Sequence, residues 1–126
     1  MTGVLVDTSV WVDHFKRRND ALVHLLERDL VLTHPLVIGE IACGTPPSRQ
    51  ETLADLASLR QSQQASIQET MMLIEARSLY GSGCGVVDIL LPASTLLTHG
   101  AELWTLDKRL DTLAEQIGIK HQPVSH

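Results

Sequence analysis

An α/β fold, with helices packed on a buried parallel sheet, is what this sequence predicts, and three observations carry it. The chain is 44% hydrophobic but only 3% aromatic, so Leu, Val, Ile and Ala must fill the core. That composition suits helices on a sheet better than an all-β sandwich. Val4-Leu5-Val6 is a continuous apolar run, as expected of a parallel strand covered on both faces, and Leu103 to Leu106 reads as a second, mostly apolar strand. Between and after them, apolar residues recur at helical spacing. At 126 residues the length suits one domain spanning 1–126.

The elements follow in order. After the Val4–Val6 strand, Thr8 or Ser9 can cap a short helix carrying Val10, Trp11 and Phe15. Asn19 or Asp20 can cap a second, with Leu22, Leu25 and Leu26 at helical spacing. Leu30 to Thr33 reads as a strand, and Pro35 is a good first residue for a helix ending at Gly44. Ser48-x-x-Glu51 is a capping-box signature for a helix to about Arg60. A longer helix carries Ile67, Met71 and Ile74 to Tyr80, and Gly81–Gly85 is a connector. A helix from Val86 to His99 precedes the Leu103–Leu106 strand. Leu110, Leu113, Ala114 and Ile117 then mark the clearest amphipathic helix, and Ile119 to Gln122 suggests a last edge strand. Trp11 and Trp104 should both be buried, Trp104 the more so.

A formal charge of −5 argues against a protein that coats nucleic acid by net charge. It leaves nucleic acid open as a substrate, because a bound divalent cation reverses the local field. Lys16-Arg17-Arg18 and Lys108-Arg109 are grouped bases, whose ordinary reading is solvated surface. Cys43 and Cys84 form neither a disulfide framework nor a zinc module. No apolar run approaches membrane-spanning length and no signal peptide is recognised, so a cytoplasmic protein is expected.

Four acids stand out. Asp7 and Asp107 follow apolar runs, where open parallel sheets bind ligands, although either alone could simply cap a helix. Glu40 and Asp88 have no Lys or Arg three or four residues away on their own helix faces. A carboxylate turned toward the core without a counter-charge is costly, so such acids pair or bind metal; the alternative is an acid at the rim of an apolar stripe. Together the four would make an oxygen-rich pocket suited to Mg²⁺ or Mn²⁺ and to hydrolysis of a phosphodiester. Ser9 has no G-x-S-x-G elbow and neither cysteine has an adjacent histidine, so no competing nucleophile appears.

Val6-Asp7-Thr8-Ser9-Val10-Trp11 resembles the opening motif of PIN-domain proteins, especially the VapC toxins. The resemblance continues through Ile38-Gly39-Glu40-Ile41-Ala42-Cys43-Gly44, Gly85-Val86-Val87-Asp88 and Leu103-Trp104-Thr105-Leu106-Asp107, in family order over nearly the whole chain. It implies a three-layer α/β/α PIN-like domain with a central parallel sheet and a Mg²⁺-dependent endoribonuclease site. Asp7, Glu40 and Asp88 would hold the metal, with Asp107 completing the set. Thr8, Ser9 and Thr105 would orient carboxylates or water. The resemblance further implies a toxin that is a homodimer, cuts RNA and is neutralised by a VapB-like antitoxin. Pro92 departs from the pattern, standing where its ring would meet the carbonyl of Asp88, so the helix should start late or kink there. Two other readings are a catalytically silent PIN-like domain that binds RNA or protein, and an aspartate-based phosphotransfer protein. As a receiver domain the second wants adjacent acids near the first strand and a late Lys after a strand; as an aspartate-nucleophile phosphatase it wants D-x-D, and position 9 is Ser9.

Overall fold

The structure, a computed structural model, describes residues 2–123. Strand β1 (Gly3–Val6) leads into helices α1 (Thr8–Lys16) and α2 (Asp20–Glu27), then β2 (Val31–Thr33). Helices α3 (Pro35–Ala42) and α4 (Arg49–Ser58) precede β3 (Arg60–Gln61). Helices α5 (Ile67–Ala76) and α6 (Val86–Leu97) lead to β4 (Ala101–Trp104), and α7 (Lys108–Gln116) follows. The four strands are all parallel, in the order β3-β2-β1-β4. This is the three-layer α/β/α arrangement expected. Winding runs outward from β1 to β3 and then reverses to β4. Right-handed crossovers therefore put α1 to α4 on one face and α5 and α6 on the other.

Both faces of β1 are covered, and Val4, Leu5 and Val6 are fully buried. Gly3 begins this strand because a Cβ there would stand 2.9 Å from both the Leu30 carbonyl oxygen and Leu32 Cγ. Trp11 and Trp104 are buried, at 5% and 4% exposure, with hardly a difference between them.

Several boundaries differ from expectation, each for a local reason. Asp7, not Thr8 or Ser9, is the N-cap of α1, and Asn19 caps α2. Helix α3 ends at Ala42 rather than Gly44. Ser48 forms no capping box: its backbone is left-handed, and its side chain makes no cap bond. The true box is Ser66 with Glu69, at the start of α5. Helix α5 ends four residues short of Tyr80 because Ser78 takes φ +53°, with Leu79 N–H bonding Ile74 O and Ser78 N–H bonding Glu75 O. That is a Schellman stop built on serine rather than glycine. Arg60 and Gln61 form a strand of two residues, too short to leave a pattern. Helix α6 stops at Leu97, and β4 lies two residues earlier than read, at 101–104. The last edge strand shrinks to a single bridge between Leu103 and Lys120.

His34, buried at the N-terminus of α3, secures the helix that carries Glu40. Its Nδ1 accepts from Leu36 N–H at 3.0 Å, so Nε2–H donates to Ser94 Oγ at 3.1 Å. Burial holds its pKa below the ordinary 6.5. The unfolded chain therefore binds this proton more readily than the folded one, and stability falls as pH drops below about 6.5, by up to about 1.4 kcal/mol per pH unit. Urea unfolding of the wild type and His34→Gln across that range checks this. Equal pH slopes would refute it.

Candidate active site

Strand order reverses at β1, which has β2 on one side and β4 on the other. The carboxyl ends of β1 and β4 are where such sheets open a crevice. A cavity of about 200 Å³ lies there, lined by Asp7, Glu40, Asp88 and Asp107 among others, with Thr8 and Ser9. No Lys, Arg or His is in its lining.

Asp7 directly follows β1 and is only 8% exposed. Its Oδ2 accepts from Ser9 Oγ and Thr105 Oγ1, each at 2.7 Å, and more weakly from Ser9 N–H at 3.4 Å. The two hydroxyls are themselves pinned. Leu106 N–H donates to Ser9 Oγ at 2.9 Å, and Asp107 N–H donates to Thr105 Oγ1 at 3.0 Å. The chain leaving β4 is thus tied through two side chains to one oxygen at the end of β1. Thr105, first residue after the observed β4, stands where Asp7 stands after β1. Asp107 follows two residues later and caps α7, accepting Arg109 N–H and Leu110 N–H at 3.0 and 3.2 Å through Oδ1.

Glu40 and Asp88 are exposed, so the expectation that they turn into the core is corrected. Asp7 is the buried acid. The absence of bases on their faces reflects the cavity they border, not a core position. Glu40 Oε1 accepts from Thr8 Oγ1 at 2.8 Å, and Asp88 Oδ2 accepts from Gly85 N–H at 3.2 Å. Pro92 neither delays nor ends α6, which runs unbroken across it from Val86. The cost is the lost bond to the Asp88 carbonyl. Asp88 itself stays in the first turn, at the cavity.

A common pattern emerges. Each acid is held through one oxygen by this chain's own N–H or O–H groups, and the other oxygen takes no hydrogen bond among the described residues. None of the four is in an ion pair among the described residues. Donors of this kind suit a hard divalent cation. As placed, however, no three His, Cys, Asp or Glu side chains among the described residues form a set that could hold one ion. Cys84 offers no alternative nucleophile. Burial pushes its thiol pKa up, the charges of Asp88 and Asp107 add to this, and the Ser82 bond and Arg109 only partly oppose it.

The sequence model of the PIN domain family matches residues 4–116, which is nearly all of the described chain. The chain belongs to the PIN domain family. Its similar proteins include "Ribonuclease VapC32" from two strains of Mycobacterium tuberculosis. Each is 42% identical over 116 residues, covering 92% of this chain and 94% of the relative. In this PIN domain, the four acids and three hydroxyls singled out in the sequence lie together at the end of β1. Thr105 is the least conspicuous of them in sequence and among the best connected in structure.

Thr105→Val keeps shape and removes the hydroxyl. Asp107 N–H then loses its acceptor and Asp7 a donor, which should cost about 1–3 kcal/mol in urea unfolding. Nuclease activity should fall by about 10–100-fold, as when an outer partner of a metal ligand is lost. Thr105→Ser should restore both. A Val variant with unchanged cleavage would show that the link does not position Asp7.

Proposed function

We infer that this protein is a ribonuclease of the VapC type that hydrolyses RNA phosphodiester bonds. The observation that carries the reading is the set of four unpaired carboxylates on one cavity at the switch point, each with a free oxygen. Likeness to "Ribonuclease VapC32" over most of both chains supports it. Asp7, Glu40 and Asp88 would hold Mg²⁺, or Mn²⁺ in its place, with Asp107 completing the set. When bound, such a cation lowers the pKa of water and neutralises charge on the phosphate. Ser9 and Thr105 fix Asp7 through Oδ2, which leaves Oδ1 for the cation. Thr8 steadies Glu40, and the exposed Glu40 and Asp88 side chains line the same cavity as Asp7.

The reading extends to an endoribonuclease that acts in the cytoplasm as the toxin of a toxin–antitoxin pair, checked by a VapB-like antitoxin. It also extends to a homodimer. Helices α5 and α6 leave Ile67, Met71, Met72 and Leu97 exposed, which a second copy would cover. A monomer by light scattering at micromolar concentration would refute the dimer.

The decisive experiment is the chemistry of the cut ends. Water attacking in line and displacing the 3′-oxygen leaves a 5′-phosphate and a 3′-hydroxyl, with no cyclic phosphate because the ribose 2′-OH is not the nucleophile. A 2′,3′-cyclic phosphate would overturn the reading. The carboxylates do not close into a coordination set as placed, which favours one second reading, a silent PIN-like domain that binds RNA or protein. Binding of RNA without any cleavage, with Mg²⁺ present, would select it.

A further inference from the structure

The acid cavity contains no positive side chain, yet a polyanion must cross it. Cations line two neighbouring cavities. A larger cavity of about 380 Å³ shares Glu40 with the acid cavity and is lined by Lys16 together with apolar walls that include Phe15, Pro46 and Pro47. Another cavity of about 320 Å³ is lined by Lys108, Arg109 and Ser82; Lys108 follows β4 and Glu40 follows β2, the two strands that flank β1. Lys108 follows Asp107 directly, and Leu110 lines the acid cavity itself.

Lys16, Lys108 and Arg109 are exposed, and none is in an ion pair among the described residues. Among the described residues only Arg18 and Lys120 of the Lys and Arg side chains are in ion pairs, so what sets these three apart is their place in the cavities next to the acids. Arg109 lies across the Gly81–Gly85 connector, where a Cβ on Gly83 (φ +84°) would stand 3.0 Å from its Cδ, and its guanidinium reaches Gly83 O at 3.4 Å. The connector therefore gives this exposed arginine a backbone partner at Gly83.

We propose that single-stranded RNA crosses the acid cavity between two basic banks, its flanking phosphates taken by Lys108 and Arg109 on one side and by Lys16 on the other. This rests on the ribonuclease reading and adds the residues that position its substrate. The walls around Lys16 offer Phe15 and two proline faces on which an unpaired base can lie, which a duplex would not present. Lys16, Lys108 and Arg109 touch no reacting atom; they set register.

The salt dependence of binding tests the proposal. A short labelled single-stranded RNA is titrated by anisotropy, with Mg²⁺, onto the Asp7→Asn protein with and without Lys16→Ala, Lys108→Ala and Arg109→Ala. Each phosphate contact on a single strand contributes about 0.7 to the slope of log K against log salt, so the three together should lower it by about 2. Lys16→Arg, Lys108→Arg and Arg109→Lys should keep the slope, and thermal unfolding should not move. Arg77→Ala, exposed and outside these cavities, should leave it unchanged. With Asp7 intact, the triple variant should raise KM at least tenfold and spare kcat within a few-fold. Unchanged slope and KM in a protein that cleaves RNA would overturn the track and leave the nuclease reading standing. The three bases would then fit an acidic protein partner instead. An equal effect from Arg77→Ala would reduce the track to net charge and overturn it too. A wild type that never cleaves RNA would defeat the ribonuclease reading, while a lost slope in the triple variant would still uphold the track as a binding surface.

Discussion

Cleavage of RNA by this protein is expected to fall to the uncatalysed background in EDTA and to return with added Mg²⁺ or Mn²⁺. The cavity presents four carboxylates and no Lys, Arg or His, on a chain of formal charge −5. A phosphodiester there meets only negative charge unless a cation intervenes. Attack by the ribose 2′-OH would need an acid and a base at hand, ordinarily histidines. His34 is buried and spends both ring nitrogens on Leu36 N–H and Ser94 Oγ, and His121 is held by Glu102. Neither lines the cavity. Zinc should have no special advantage, because the lining supplies oxygen donors and no thiolate or imidazole. Full activity in EDTA, from protein shown to be metal-free, would remove the mechanism.

Much of this site is legible in the sequence, for reasons that differ from residue to residue. Asp7 was legible because a fully apolar strand ends abruptly on an acid, and both the burial of that strand and its position beside the reversal follow from the parallel sheet. Glu40 and Asp88 were found by a sound observation joined to a wrong cause. Their faces do lack bases, but they border solvent in the cavity rather than the core. Thr105 carried no signal of its own beyond the family resemblance, since its value lies in contacts that span 98 positions to Asp7. Periodicity cannot show such a link. The misread boundaries have a similar origin. Ser78 and Ser48 take left-handed backbones that sequence assigns to glycine, and β3 is paired only because β2 lies beside it. The basic groups looked like solvated surface, and only the fold shows that Lys16, Lys108 and Arg109 line cavities next to the acids.

Asp7→Asn is expected to abolish cleavage while leaving the fold nearly intact. Asn caps a helix about as well as Asp, so the start of α1 should survive. The amide oxygen can take over from Oδ2, accepting the hydroxyls of Ser9 and Thr105, with the amide nitrogen in place of the free oxygen. Exchanging a charged acceptor for a neutral one costs about 1 kcal/mol, and relief of repulsion from the other three acids offsets part of it. The melting temperature without metal should therefore move by less than about 5 °C. Activity should fall by more than about 100-fold, beyond what loss of a supporting residue costs, because a donor to the cation has become an amide with its N–H groups toward the site. Both measurements belong on one preparation, unfolding in chelator and RNA cleavage with Mg²⁺. Asp7 has a structural duty, as N-cap and as acceptor for two hydroxyls, so a purely structural role is a real competitor. That role makes the opposite forecast, in which the protein melts much earlier and the folded fraction still cuts RNA at the wild-type rate. Such a result would mean that Asp7 builds the crevice without taking part in its chemistry.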